Sequence, residues 1–139
     1  MVDPREPIRD VMSSGPISVE EKLTLRSLSR VLSALDVGVA LVHDTEGAAY
    51  IVSERDIVRA LSDGADPDEV WAADIGTDEV VIADSQASVL GVAETMADEG
   101  VRHLPVVERE QIVGVVSMRD VLPVLAGYAR GTLEKGPST

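Results

Sequence analysis

The sequence predicts an α+β protein built from two copies of one small α/β-type unit, each ordered β-α-β-β-α. Three observations predict it. Ile51-Val52-Ser53-Glu54-Arg55-Asp56 returns as Val115-Val116-Ser117-Met118-Arg119-Asp120, an offset of 64 (117 minus 53), and a fixed period of this size marks a duplicated supersecondary unit. Leu25, Leu28, Val31, Leu32 and Leu35 recur at intervals of three and four, the spacing of one buried helix face. Paired aliphatic runs joined by short polar stretches read as hairpins of buried strands.

The first copy opens on Asp3-Pro4-Arg5-Glu6-Pro7, an extended leader, because each proline turns the residue before it away from helix. Ile8 to Met12 is expected to make a turn or two of helix, Ser13 to Pro16 a loop, and Ile17-Ser18-Val19 a short strand. A helix from Leu23 to about Asp36 follows, then hairpin strands over Val37 to Val42 and Ala48 to Val52. Ser53 caps the next helix, which stops at Asp63-Gly64.

Ala65-Asp66-Pro67-Asp68 is the linker. Beyond it the pattern predicts a helix over Glu69 to Ile75, a strand over Val80-Val81-Ile82, and a helix from Val89 to Gly100. Strands over Val101 to Val107 and Ile112 to Val116 form the second hairpin, with Glu108 to Gln111 as its turn. Ser117 caps the last helix, in which Pro123 is expected to cost a hydrogen bond or introduce a kink unless it sits within the first turns, and which is expected to end near Arg130. The expected division is residues 1–64, residues 65–130 and a flexible tail over 131–139. Laid over one another the halves need no gap, pairing Asp10 with Asp74, Val37 with Val101 and Val42 with Val106. A unit this small cannot bury its sheet face alone, so the copies are expected to dock through their sheets, with the leading short segment packing across.

Composition narrows the function. With 45% apolar residues, no Phe, one Trp and two Tyr, the core must be aliphatic. Twenty-five acids against twelve bases leave a net charge of −13, which repels phosphate backbones and anionic membranes, so neither nucleic acid nor membrane is an expected partner. The absence of cysteine excludes disulfides, thiolate metal sites and Cys nucleophiles. No basic-plus-apolar leader and no run of membrane-spanning length is present, and a cytoplasmic location is expected. Ser53 and Ser117 have no His beside them, and no P-loop or dinucleotide fingerprint occurs, so the chain is not expected to be an enzyme. His43 and His103, the only histidines, stand in no metal-ligand spacing; His43 reads as a turn residue. Asp10 and Asp74 read as capping or ion-pairing residues, and Trp71 as a packing or subunit-contact residue.

Read together, Asp10-Val11-Met12, Gly38 to Val42, Arg102 to Val107, Ile112 to Ser117 and both Ser-x-x-Asp motifs make the chain resemble a tandem pair of cystathionine-β-synthase (CBS) domains, a Bateman module, over about Ile8 to Arg130. The resemblance implies two clefts related by a pseudo-two-fold and a regulatory, non-catalytic role as a nucleotide sensor. It implies no obligate cofactor but an adenosine-containing ligand: AMP, ADP, ATP or S-adenosylmethionine. It assigns the ribose hydroxyls to Asp56 and Asp120, and places Ser53 and Ser117 near the phosphate. One implied cleft combines Ser53, Arg55 and Asp56 with Thr77, Ile82, Val101, Arg102 and His103; the other combines Ser117, Arg119 and Asp120 with Ser14, Ile17, Ser18, Val37 and Gly38. A homodimer and a regulated partner protein are implied as well.

The chemistry suits the motif. An ionised Asp is an acceptor only and can take both hydroxyls of a vicinal diol, while a helix start offers N–H groups and positive potential to a phosphate. An Arg adds a charge-assisted fork. The competing reading is that Ser-x-x-Asp after an apolar run is a helix capping box and nothing more, in a ligand-free homodimeric interaction module. Capping accounts for the Ser and the Asp but not for the recurrence of Arg55 and Arg119 at the same point of a repeated hairpin.

Overall fold

The computed structural model describes residues 2–12, 17–45, 49–76 and 81–135. It resolves into two compact units, Pro16–Val80 and Met1–Gly15 with Val81–Thr139. Each carries a three-stranded mixed sheet and helices, the α+β repeat that the sequence predicts.

In the unit Pro16–Val80, β1 (Ser18–Glu20) runs parallel to β2 (Val39–His43), and β2 pairs antiparallel with β3 (Ala49–Ser53). Helices α1 (Leu25–Leu35), α2 (Glu54–Ser62) and the single turn α3 (Ala72–Ile75) accompany the sheet. Leu28 and Leu32 from α1, Ala40 and Val42 from β2, Val52 from β3 and Ile57 from α2 form its core, and Ala72 closes it. Helix α1 starts at Leu25 because Thr24 Oγ1 accepts the Ser27 N–H (3.2 Å) and so caps it. It ends at Asp36, which takes the left-handed conformation (φ 51°) that usually falls to glycine.

The second unit repeats the plan with β4 (Ala83–Asp84), α4 (Val89–Glu99), β5 (His103–Glu108), β6 (Gln111–Ser117) and α5 (Met118–Lys135). Strand order is β4-β5-β6, parallel then antiparallel. Its core joins Val89, Val92 and Met96 to Leu104, Val106, Val116 and Val121, and Ile8 completes it. The hairpin turns through Arg109 (φ 52°) and Glu110 (φ 67°), the left-handed pair of a type I′ turn.

Each unit is completed by a leader from elsewhere in the chain. Pro7 forms an antiparallel bridge to Ser88, and Trp71 to Thr24; both partners differ by 64 (71 minus 7, 88 minus 24). The Ile8 N–H donates to the Ala87 carbonyl (2.7 Å) and the Ala72 N–H to the Leu23 carbonyl (2.7 Å). Val89 N–H to Glu6 O and Leu25 N–H to Val70 O, both 3.0 Å, repeat the pattern. Units defined by packing thus cut across the sequence repeats.

Four details differ from the sequence reading. The strand expected over residues 80–82 begins at Ala83, with Val80 outside the described residues. In the first unit the Leu41 N–H donates to Ile17 O (2.8 Å). The matched residue is Pro105, which has no N–H to offer Val81, so the parallel ladder starts later. The helix expected over Glu69 to Ile75 shrinks to Ala72–Ile75, because Val70 and Trp71 give their backbone to α1. Helix α5 continues past Arg130 to Lys135. A glycine inside a helix costs only about 1 kcal/mol, and Thr132 Oγ1 donates to the Tyr128 carbonyl across Gly131. Pro123 sits inside α5, but it and Arg119, whose carbonyl loses a partner, are exposed, so water can replace the bond.

Two measurements check this account. Ile8 is 0% exposed, and Ile8→Ala is expected to lower unfolding free energy by about 2–5 kcal/mol in chemical denaturation; an effect typical of a surface residue would contradict the docked leader. Asp36→Gly is expected to raise stability by about 0.5–1 kcal/mol by relieving the left-handed cap, read as a higher denaturation midpoint.

Candidate functional site

The two Ser-x-Arg-Asp motifs stand where a buried hairpin strand becomes a helix. In the first, Ser53 ends β3 and caps α2: its Oγ accepts the Asp56 N–H (3.2 Å) and donates to Asp56 Oδ2 (3.0 Å). Asp56 Oδ2 also accepts the Ser53 N–H (2.8 Å), closing a full capping box. In the second, Asp120 Oδ2 accepts the Ser117 N–H (2.9 Å) and faces the Ser117 hydroxyl at 3.4 Å. The capping box is complete at Ser53, and its carboxylate-to-backbone half recurs at Ser117.

Hairpin register then sets the neighbours. Val39 lies opposite Ser53, and His103 opposite Ser117. The Glu54 N–H donates to the Gly38 carbonyl (2.9 Å), and the Met118 N–H to the Arg102 carbonyl (3.0 Å). Within each unit, then, the strand residue bordering the helix start belongs to the same hairpin: Val37 and Gly38 beside Ser53, Val101 and Arg102 beside Ser117. The Ile17 carbonyl accepts the Leu41 N–H, Ser18 begins β1, and its matched residue Ile82 lies just before β4. Ser14 and Thr77 lie outside the described residues. Arg55, Arg102 and Arg119 are exposed, whereas the capping Ser and Asp residues are half-buried.

Other candidates resolve into structural roles. Asp74 Oδ2 accepts the Trp71 N–H (2.9 Å), as expected of a capping acid. Trp71 is 42% exposed, with Lys22 Nζ 5.6 Å from its ring centroid. His43 ends β2, exposed, with Nε2 2.9 Å from Ser18 Oγ. The Ser18–His43 pair is a contact that spacing alone did not reveal, because it joins side chains across a parallel ladder. Among the described residues no group of three or more His, Asp or Glu could hold a metal ion. The shifted acids lie on other segments: hydrogen bonding from Arg5 holds Asp3 down at about 2, and Arg26 lowers Asp68. Among the described residues no helix is long and apolar enough to cross a membrane.

The CBS domain model matches residues 8–63 and 72–127. The chain belongs to the CBS domain family. Uncharacterized protein MJ1225 of Methanocaldococcus jannaschii is 32% identical over 86% of this chain, which spans only 43% of that relative's length. Among solved structures, an uncharacterized conserved protein of Pyrococcus horikoshii superposes with a TM-score of 0.83 at 23% identity, covering 89% of this chain and 95% of its own. The CBS domain pair of protein MJ0100, solved with 5′-methylthioadenosine and S-adenosyl-L-methionine, gives a TM-score of 0.76 at 22% identity, covering 88% and 97%. These likenesses agree on the CBS pair fold.

Removing the cap tests the local geometry. Ser53→Ala deletes the acceptor for the Asp56 N–H and is expected to cost about 0.5–2 kcal/mol of stability, measured as a lowered melting midpoint with the far-ultraviolet spectrum retained.

Proposed function

We propose that this CBS pair is a regulatory module without catalytic activity that binds an adenosine-containing ligand of the AMP, ADP or ATP type. The observation that carries the reading is the same half-buried carboxylate at the same strand-to-helix junction in both units, each followed by a helix start and flanked by an exposed Arg. An ionised carboxylate is an acceptor only, suited to the two hydroxyls of a ribose diol. The positive end of the helix and Arg55 or Arg119 then face the 5′ substituent. The adenosine compounds held by the MJ0100 pair support this chemistry for the fold.

The module acts, in this reading, as a homodimer whose conformational equilibrium a partner protein senses. A ligand shifts such an equilibrium only through different affinities for its two states. The competing reading, an empty interaction module with caps alone, predicts no ligand-dependent rise in melting temperature.

Calorimetric titration with AMP, ATP, adenosine and S-adenosylmethionine tests the proposal. Asp56→Asn and Asp120→Asn keep an oxygen for the cap and remove the charge. Each is expected to weaken one site by about tenfold or more, the effect of losing a charged hydrogen bond worth about 1.5–3 kcal/mol. No binding of any adenosine compound to the parent at millimolar concentration would refute the proposal.

A further inference from the structure

The two junctions share a backbone plan but not a charge. At five matched positions the unit Pro16–Val80 carries Asp36, Gly38, Glu54, Arg55 and Asp56, three acids against one arginine (net −2). The other unit carries Gly100, Arg102, Met118, Arg119 and Asp120, two arginines against one acid (net +1).

These positions converge on the helix start. Asp36 and Gly100 are left-handed C-caps, from which Val37 N–H bonds back to Leu32 O and Val101 N–H to Met96 O. Two residues on, the carbonyls of Gly38 and Arg102 accept the first helical N–H of α2 and α5, from Glu54 and Met118. The first residue of α2 is thus an acid where α5 has methionine, and its neighbouring strand offers glycine where the other offers arginine. An added anion at the α2 start meets like charge. At the α5 start the matched positions carry two exposed arginines, in a chain whose overall net charge is −13.

From this asymmetry we infer that the two sites take different classes of adenosine compound: the Ser117 site a 5′-phosphorylated nucleoside, the Ser53 site an adenosine compound without phosphate. The inference rests on the reading above that each junction holds an adenosine ligand. It makes the module a receptor for two chemically distinct signals rather than a duplicate sensor for one.

The test isolates each site. Asp56→Asn leaves the Ser117 site intact, and AMP and ATP are expected to bind it roughly tenfold or more tightly than adenosine. That advantage is expected to shrink as sodium chloride rises from about 50 to about 300 mM. Asp120→Asn leaves the Ser53 site, where adenosine is expected to bind at least as tightly as AMP. Adding Gly38→Arg and Glu54→Gln to Asp120→Asn is expected to create a phosphate preference, with thermal melts confirming the fold. Should that triple variant not fold, adding Glu54→Gln alone is expected to improve AMP binding relative to adenosine. Equal phosphate preference at both isolated sites overturns the inference while leaving the adenosine reading intact. Binding of no adenosine compound by the parent protein overturns the adenosine reading itself, and the inference with it.

Discussion

Two backbone hydrogen bonds of 2.7 Å, from Ile8 N–H to Ala87 O and from Ala72 N–H to Leu23 O, tie each unit to a leader that lies outside its own sequence repeat. A three-stranded sheet with two helices leaves its core open at one end, and the 0% exposed side chains of Ile8 and Ala72 close it. The leader of the second repeat serves the unit Pro16–Val80 and the leader of the first repeat serves the other, so packing units and sequence repeats do not coincide, and the unit Met1–Gly15 with Val81–Thr139 is discontinuous in the chain. Covalent order and packing order are interleaved. That interleaving makes residues 65–76 part of a core rather than a spacer, and explains why Val70 and Trp71 give their backbone to α1 instead of continuing a helix.

The repeats have diverged in compensating ways around this frame. Tyr50 stacks so close to Gly76 that a Cβ there would overlap its ring. At the matched positions of the other unit the sizes are reversed: Gly114 is buried, and Met12, packed against that unit's core, stands in place of Gly76. Volume moved from strand to leader while the fold stayed the same, as expected where interiors are close-packed. Position 105 carries proline where the other unit has Leu41; β4 is limited to Ala83–Asp84, and the antiparallel hairpin beyond it pairs from His103 to Glu108 with a register shift between Val106 and Val107.

In the proposed reading, stability and recognition share one group at each junction. The carboxylate that hydrogen-bonds the capping serine is also the acceptor proposed for ribose, and it stands at the positive end of the helix. Capping and binding are therefore not rival explanations of Ser-x-x-Asp. The cap holds the carboxylate in one orientation before a ligand arrives, which reduces the entropy lost on binding.

By itself the sequence determined the repeat, its α+β class, the two capped helices at Ser53 and Ser117, and the aliphatic hairpins, because these depend on periodicity and on contacts within a few residues. Both Asp56 and Asp120 were readable as cap partners for the same reason. Tertiary structure alone decided where the leaders dock, since nothing local tells Ile8 that its acceptor is Ala87, 79 residues away (87 minus 8). It also decided that α5 runs through Gly131 and that the Gly38 and Arg102 carbonyls accept the first N–H of the helix that follows their own hairpin. A glycine permits several backbones, and a strand edge several neighbours; only the assembled sheet selects among them.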